Sequence, residues 1–169
     1  CYTPAVLKIR ELIADGFLGD ILFVDSVRIN LGLIQPDVDV FWDLAPHDLS
    51  IIDFILPSGL DGATVTAQGA DPLRIGGTKR TLVWDDLNPQ QRVSVYDRGI
   101  DIETQSEVTT LDRRAANISY RLGDTWAPAL EEHEALAGVA KEFAAAIREG
   151  REARTSGESG LRVLSVLEA

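Results

Sequence analysis

The residues of this chain best suited to proton transfer are Asp43 and His47, in the segment Phe41-Trp42-Asp43-Leu44-Ala45-Pro46-His47-Asp48. They are four positions apart, and at the start of a helix that spacing stacks both side chains on one face. A carboxylate beside an imidazole orients the ring and favours its protonated form, which suits a general acid or base. Asp43 also reads as a helix cap, because its charge is favoured at a helix N-terminus. The pattern is common in surface pairs and caps, so spacing alone leaves both readings open.

The other candidates are weaker. Arg28 and Asn30 alternate with Val27, Ile29 and Leu31, so in a strand they share the polar face and suit contacts to a polar substrate. They read equally well as solvated strand residues. Gly76-Gly77-Thr78-Lys79 matches only half of a phosphate loop and reads better as a turn between strands. Asp85 and Asp86 are adjacent, so on a strand they point to opposite faces and do not pair for hydrolysis or metal binding. Asn117-Ile118-Ser119 has the form of a glycosylation sequon, without a secretory signal to support it. His133 sits among Glu131, Glu132 and Glu134 and reads as surface. One cysteine, Cys1, and two histidines give neither an intrachain disulfide nor the four ligands of a closed zinc site.

The elements that must position these residues are legible from periodicity. Thr3-Pro4 predicts a cap and a first helical proline, and Val6, Ile9 and Ile13 predict a helix over 4–15 that stops at Asp15-Gly16. After the Leu18-Gly19-Asp20 turn a strand is expected over 21–31, then a loop over 32–41. A helix over 43–56 follows, ended by Pro57-Ser58-Gly59. Strands are expected over 63–68, 79–84 and 92–96, the last two a hairpin turned by Asn88-Pro89. Weaker strands are expected over 101–110 and 116–121. Leu136, Val139, Phe143 and Ile147 form an apolar helical stripe with Gly150 as C-cap. Thr155-Ser156-Gly157-Glu158 fits a capping box before a last helix over 158–168. Strands in a consecutive block, with helices at both ends, predict an α+β domain: an open, largely antiparallel or mixed sheet with helices on one face.

Bulk composition narrows the function. Hydrophobic residues make up 45% and charged residues 25% of 169, so a sizeable core can form in one domain. A net charge of −11, with no Lys/Arg run, argues against nucleic acid. No stretch approaches the ~20 apolar residues of a membrane span, and an acidic cytoplasmic protein is expected. The chain has no methionine, not even at position 1, so it reads as a polypeptide seen from its middle onward.

Several motifs, in order, resemble the C-terminal domain of the glucose–fructose oxidoreductase and inositol dehydrogenase family. Thr3-Pro4-Ala5-Val6 through Leu18-Gly19-Asp20-Ile21 resembles the family's helix, turn and following strand. Asp43-x-x-x-His47-Asp48 resembles its signature helix. Val83-Trp84-Asp85-Asp86-Leu87 and Tyr96-Asp97-Arg98-Gly99 resemble a hairpin of one branch, and Thr155-x-x-Glu158-Ser159-Gly160-Leu161-Arg162-Val163 resembles the last helix. The resemblance implies that His47 is the acid/base at the substrate hydroxyl and that Asp43 assists it and helps hold the sugar. It also implies hydride transfer with NAD or NADP, and a sugar, sugar acid or nucleotide-linked sugar as substrate. Residues 1–169 would then form a substrate-binding and oligomerisation domain, a dimer or tetramer joined through the open sheet face. A non-catalytic assembly module using the same sheet is the alternative. A hydrolase or lyase using His47 without a nicotinamide is the second rival, and both rank below the dehydrogenase reading.

Three features depart from the family. The dinucleotide fingerprint G-x-G-x-x-G and the Glu-Lys-Pro segment are absent, and both would lie upstream of Cys1. The stretch between Gln68 and Ile75 is short, so a missing segment is expected near 71–75. On these grounds the chain alone is expected to be inactive.

Overall fold

The computed structural model describes residues 1–26, 40–62, 64, 73–88, 90–103 and 117–168. The element order is α1 (Pro4–Ala14), β1 (Ile21–Asp25), α2 (Val40–Ile55), β2 (Leu73–Gly77), β3 (Thr81–Trp84), β4 (Val93–Glu103), β5 (Asn117–Trp126), α3 (Ala135–Glu149) and α4 (Gly157–Leu167). The five strands form one open sheet in sequence order, every neighbouring pair antiparallel. The fold is therefore α+β, and the described sheet is antiparallel throughout rather than mixed.

Alternation decides what the sheet buries. Leu73, Ile75, Leu82, Val93 and Val95 point to one face, where they meet Val6, Ile9 and Ile13 of α1 and Ile51, Phe54 and Ile55 of α2. The opposite face carries Phe23, Asp25, Arg74 and Thr81, which follow from the register of β1 on β2 and β2 on β3. α2 lies between two layers. Its other side packs Ala45, Leu49 and Ile52 with Val163, Val166 and Leu167 of α4.

β2 is the strand that the sequence hides. The turn expected over Gly76-Gly77-Thr78-Lys79 is met only in its second half, because both glycines lie inside the strand and the chain reverses at Thr78–Arg80. A side chain at Gly76 would run into the Phe23 ring, and one at Gly77 into the Leu18 carbonyl. The hairpin tip is stitched to the 18–20 turn: Thr78 N donates to Asp20 O at 2.9 Å, Lys79 N to Leu18 O at 2.9 Å, and Asp20 N to Thr78 Oγ1 at 3.0 Å. Arg80 lies over the Phe17 ring at 4.0 Å, and Phe17 meets Trp126 edge to face at 5.6 Å. The β3–β4 hairpin forms as expected, with Asn88 Oδ1 accepting from Gln90 N and Gln91 N.

Two caps differ from expectation. Thr3 stands at the N-cap of α1, but its buried hydroxyl makes no cap hydrogen bond. α4 is capped by Ser156, which accepts from Ser159 N, one residue later than the capping box places it. Thr155 instead meets the Tyr2 hydroxyl at 2.9 Å. The apolar stripe of α3 is also turned outward. Glu142 and Ala146 are its buried residues, whereas Leu136, Val139, Phe143 and Ile147 face solvent.

Candidate functional site

α2 begins at Val40, so Asp43 falls in its first turn and His47 one turn on, with Ser50 and Phe54 continuing the same face. Asp43 is half-buried and His47 exposed. Pro46 lies inside the helix, so the carbonyl of Trp42 loses the N–H that would normally reach back to it. Ser50 Oγ donates to the His47 carbonyl at 2.8 Å, and the Cys1 thiol donates to the Ser50 carbonyl at 3.3 Å. Asp43 and His47 are thus brought to one face, but among the described residues no ion pair joins them. An aspartate has only one methylene to span the 5–6 Å between side chains one turn apart. The arrangement leaves an accessible imidazole with a carboxylate one turn away. It can exchange a proton with a hydroxyl bound beside it. Arg28 and Asn30 lie outside the described residues.

What holds this helix in place is a charge pair that periodicity alone does not single out. Asp53 is 6% exposed and takes two hydrogen bonds from Arg162 of α4, Nε to Oδ1 at 2.7 Å and Nη2 to Oδ2 at 2.8 Å. The Leu60 amide adds a third at 3.1 Å. The Arg162 hydrogen bond holds the Asp53 carboxyl below its ordinary value, against the opposing effect of burial. The available signal was an acid alone in the apolar run Ile51-Ile52-Asp53-Phe54-Ile55 and a base alone in Leu161-Arg162-Val163-Leu164.

A polar cleft of about 380 Å³ opens at the C-terminal end of α2, lined in part by Arg10, Asp53, Phe54, Arg154, Ser159 and Arg162. Neither Asp43 nor His47 lines it. Arg10 lies over the Phe54 ring at 4.1 Å. Nearby, the buried Glu142 accepts from Arg151 at 2.7 and 3.2 Å and from the Arg154 amide at 3.0 Å. The Arg151 hydrogen bonds bring its carboxyl down to about 2.

The Gly76–Lys79 loop does not fit the phosphates of a dinucleotide. The spaces beside Gly76 and Gly77 are filled by Phe23 and Leu18, and the amides of Thr78 and Lys79 are spent on the 18–20 turn. No pyrophosphate can use that loop as a cradle. Among the described residues no group of three or more His, Cys, Asp or Glu is placed to hold a metal ion. No described helix is long and apolar enough to cross a membrane.

No protein-family model, curated protein or solved structure matches this chain.

Proposed function

We propose that this chain is the sugar-side domain of an NAD(P)-dependent oxidoreductase of the glucose–fructose oxidoreductase and inositol dehydrogenase type. The observation that carries the reading is Asp43 and an exposed His47 one turn apart on α2. The ordered set of resembling motifs along the chain supports it. In this reading His47 takes the proton from the sugar hydroxyl that becomes a carbonyl, and Asp43, one turn away, assists it and helps hold the sugar. The helix is fixed from behind by Asp53 and Arg162 and by packing on the sheet, so the imidazole starts from a rigid base. Arg28 and Asn30 are the proposed hydroxyl contacts. The Gly76–Lys79 loop offers no cradle for the cofactor's phosphates, and in this reading the cofactor is bound mainly by a separate domain while this chain supplies the sugar site and the proton transfer. Cytoplasmic placement and self-association through the open sheet face belong to the same reading.

The test is to follow the His47 ring protons by NMR while titrating inositol, glucose and a nucleotide-linked sugar. The reading expects at least one to shift the His47 signals saturably, and His47→Ala to abolish that binding. Binding of none, or binding that His47→Ala leaves unchanged, overturns it.

A further inference from the structure

We propose that the outward face of α3 is a docking surface for a second copy of this chain, whose own α3 lies against it antiparallel. The inference is independent of the sugar reading. Leu136, Val139, Phe143 and Ile147 follow one another at spacings of three, four and four along a 15-residue helix. They are 72%, 41%, 62% and 66% exposed. The helix meets its own chain through small residues: Ala146 is buried and Gly138 abuts Tyr2. The Glu142 cluster with Arg151 and Arg154 ties down its C-terminal half. No other described helix or strand packs closely along it. An amphipathic helix held by its small and charged face, with its largest apolar side chains in water, is an unfinished interface.

Shape and charge point to a second copy. Ala137, Ala140 and Ala144 are exposed beside the stripe, so a facing helix can approach to the usual ~8–10 Å between axes. Ahead of α3 stand Glu132 and Glu134, and in its last turn stands Arg148. None of the three has an ion-pair partner among the described residues. An antiparallel pair brings Leu136 of one copy level with Ile147 of the other, and Val139 level with Phe143. It also sets Glu132 and Glu134 against the other copy's Arg148, twice over, and opposes the two helix dipoles. A parallel pair would stack like charges. Orientation comes from these charges, and affinity from apolar burial, because a net charge of −11 per chain opposes association at long range. The stripe offers on the order of 400 Å² per copy, about half of what each partner gives to a standard interface. Micromolar rather than nanomolar association is expected.

The test is the mass in solution, by sedimentation equilibrium at micromolar to submillimolar concentration, of the wild type, Phe143→Glu, Arg148→Glu and the double variant Glu132→Arg/Glu134→Arg. All four positions are exposed, and far-UV circular dichroism with a thermal melt checks that each variant is folded. Should Phe143→Glu fail that check, Ile147→Lys takes its place. Phe143→Glu is expected to halve the wild-type mass. Each charge variant alone weakens association about tenfold, and an equal mixture of the two restores it, because every facing pair is again of opposite sign. A monomeric wild type, an unchanged mass in Phe143→Glu, or a mixture no better than its components overturns the proposal.

Discussion

Replacing Arg162 by leucine tests what anchors α2. The substitution removes two hydrogen bonds of 2.7 and 2.8 Å and leaves the Asp53 carboxylate 6% exposed, with the Leu60 amide at 3.1 Å still donating. Removing one partner of a fully buried pair costs about 3–5 kcal/mol, since an uncompensated charge stays behind. Here the Arg162 side chain is 37% exposed, so water already screens part of the attraction, and about 2–3 kcal/mol is the expected loss. For a domain of this size that lowers the melting temperature by roughly 4–12 °C. Urea unfolding of wild type, Arg162→Leu and Asp53→Asn/Arg162→Leu measures it. The double variant should recover part of the loss, because no buried charge is then stranded. An Arg162→Leu protein within about 0.5 kcal/mol of wild type, or a double variant less stable than the single one, refutes the reasoning.

Further predictions follow from the same geometry. Asp53 has a lower pKa folded than unfolded, so the unfolded chain binds more protons and stability rises with pH. The contribution is complete above the ordinary carboxylate value near ~4 and is lost as pH falls below it through the depressed folded value. Asp53→Asn should flatten that acid limb in urea titrations at several pH values. Gly77→Ala should cost about 1–3 kcal/mol by overpacking against the Leu18 carbonyl, which as backbone yields little. Gly157→Ala, with open space around it, should be nearly neutral in the same assay. His47→Ala should leave the melting temperature within about 2 °C because the residue is exposed. Under the proposed oxidoreductase reading, the same change in a complete two-domain enzyme should lower turnover by about 10²–10⁴.

How much of this was readable from sequence depends on how far each signal reaches. α1, α2 and the 81–96 hairpin were legible because proline, glycine, Asn88 and local periodicity act within a few residues. β2 was not, because Gly76 and Gly77 look like turn residues until Phe23 and Leu18, more than 50 positions upstream, are seen to occupy their side-chain space. The α4 cap slipped by one residue for the same reason: Thr155 is taken by Tyr2 from the far end of the chain. At the candidate site, spacing put Asp43 and His47 on one face, but it fixes an angle around the helix and not the reach of a side chain.

α3 and α2 show the two ways periodicity is incomplete. On α3 the apolar stripe was read in full, yet it is the opposite, small-residue face that meets the rest of the chain. A 3.6-residue repeat says that a face is apolar and does not say what covers it. On α2 the repeat counts Asp53 as a blemish in the core face, whereas Asp53 is the residue that ties that helix to α4. One rule covers the α2 case. A charged residue alone in an apolar run needs a partner of opposite charge from another element, and Arg162, equally alone in its run, is that partner. Glu142, next to Lys141 in sequence, is also buried and accepts from Arg151 and from the Arg154 amide, just past the end of its own helix. Its burial requires that side of α3 to face its own chain, and this turns Leu136, Val139, Phe143 and Ile147 outward. The exposed stripe is thus a consequence of where the buried charge goes, and the self-pairing test asks what that outward turn is for.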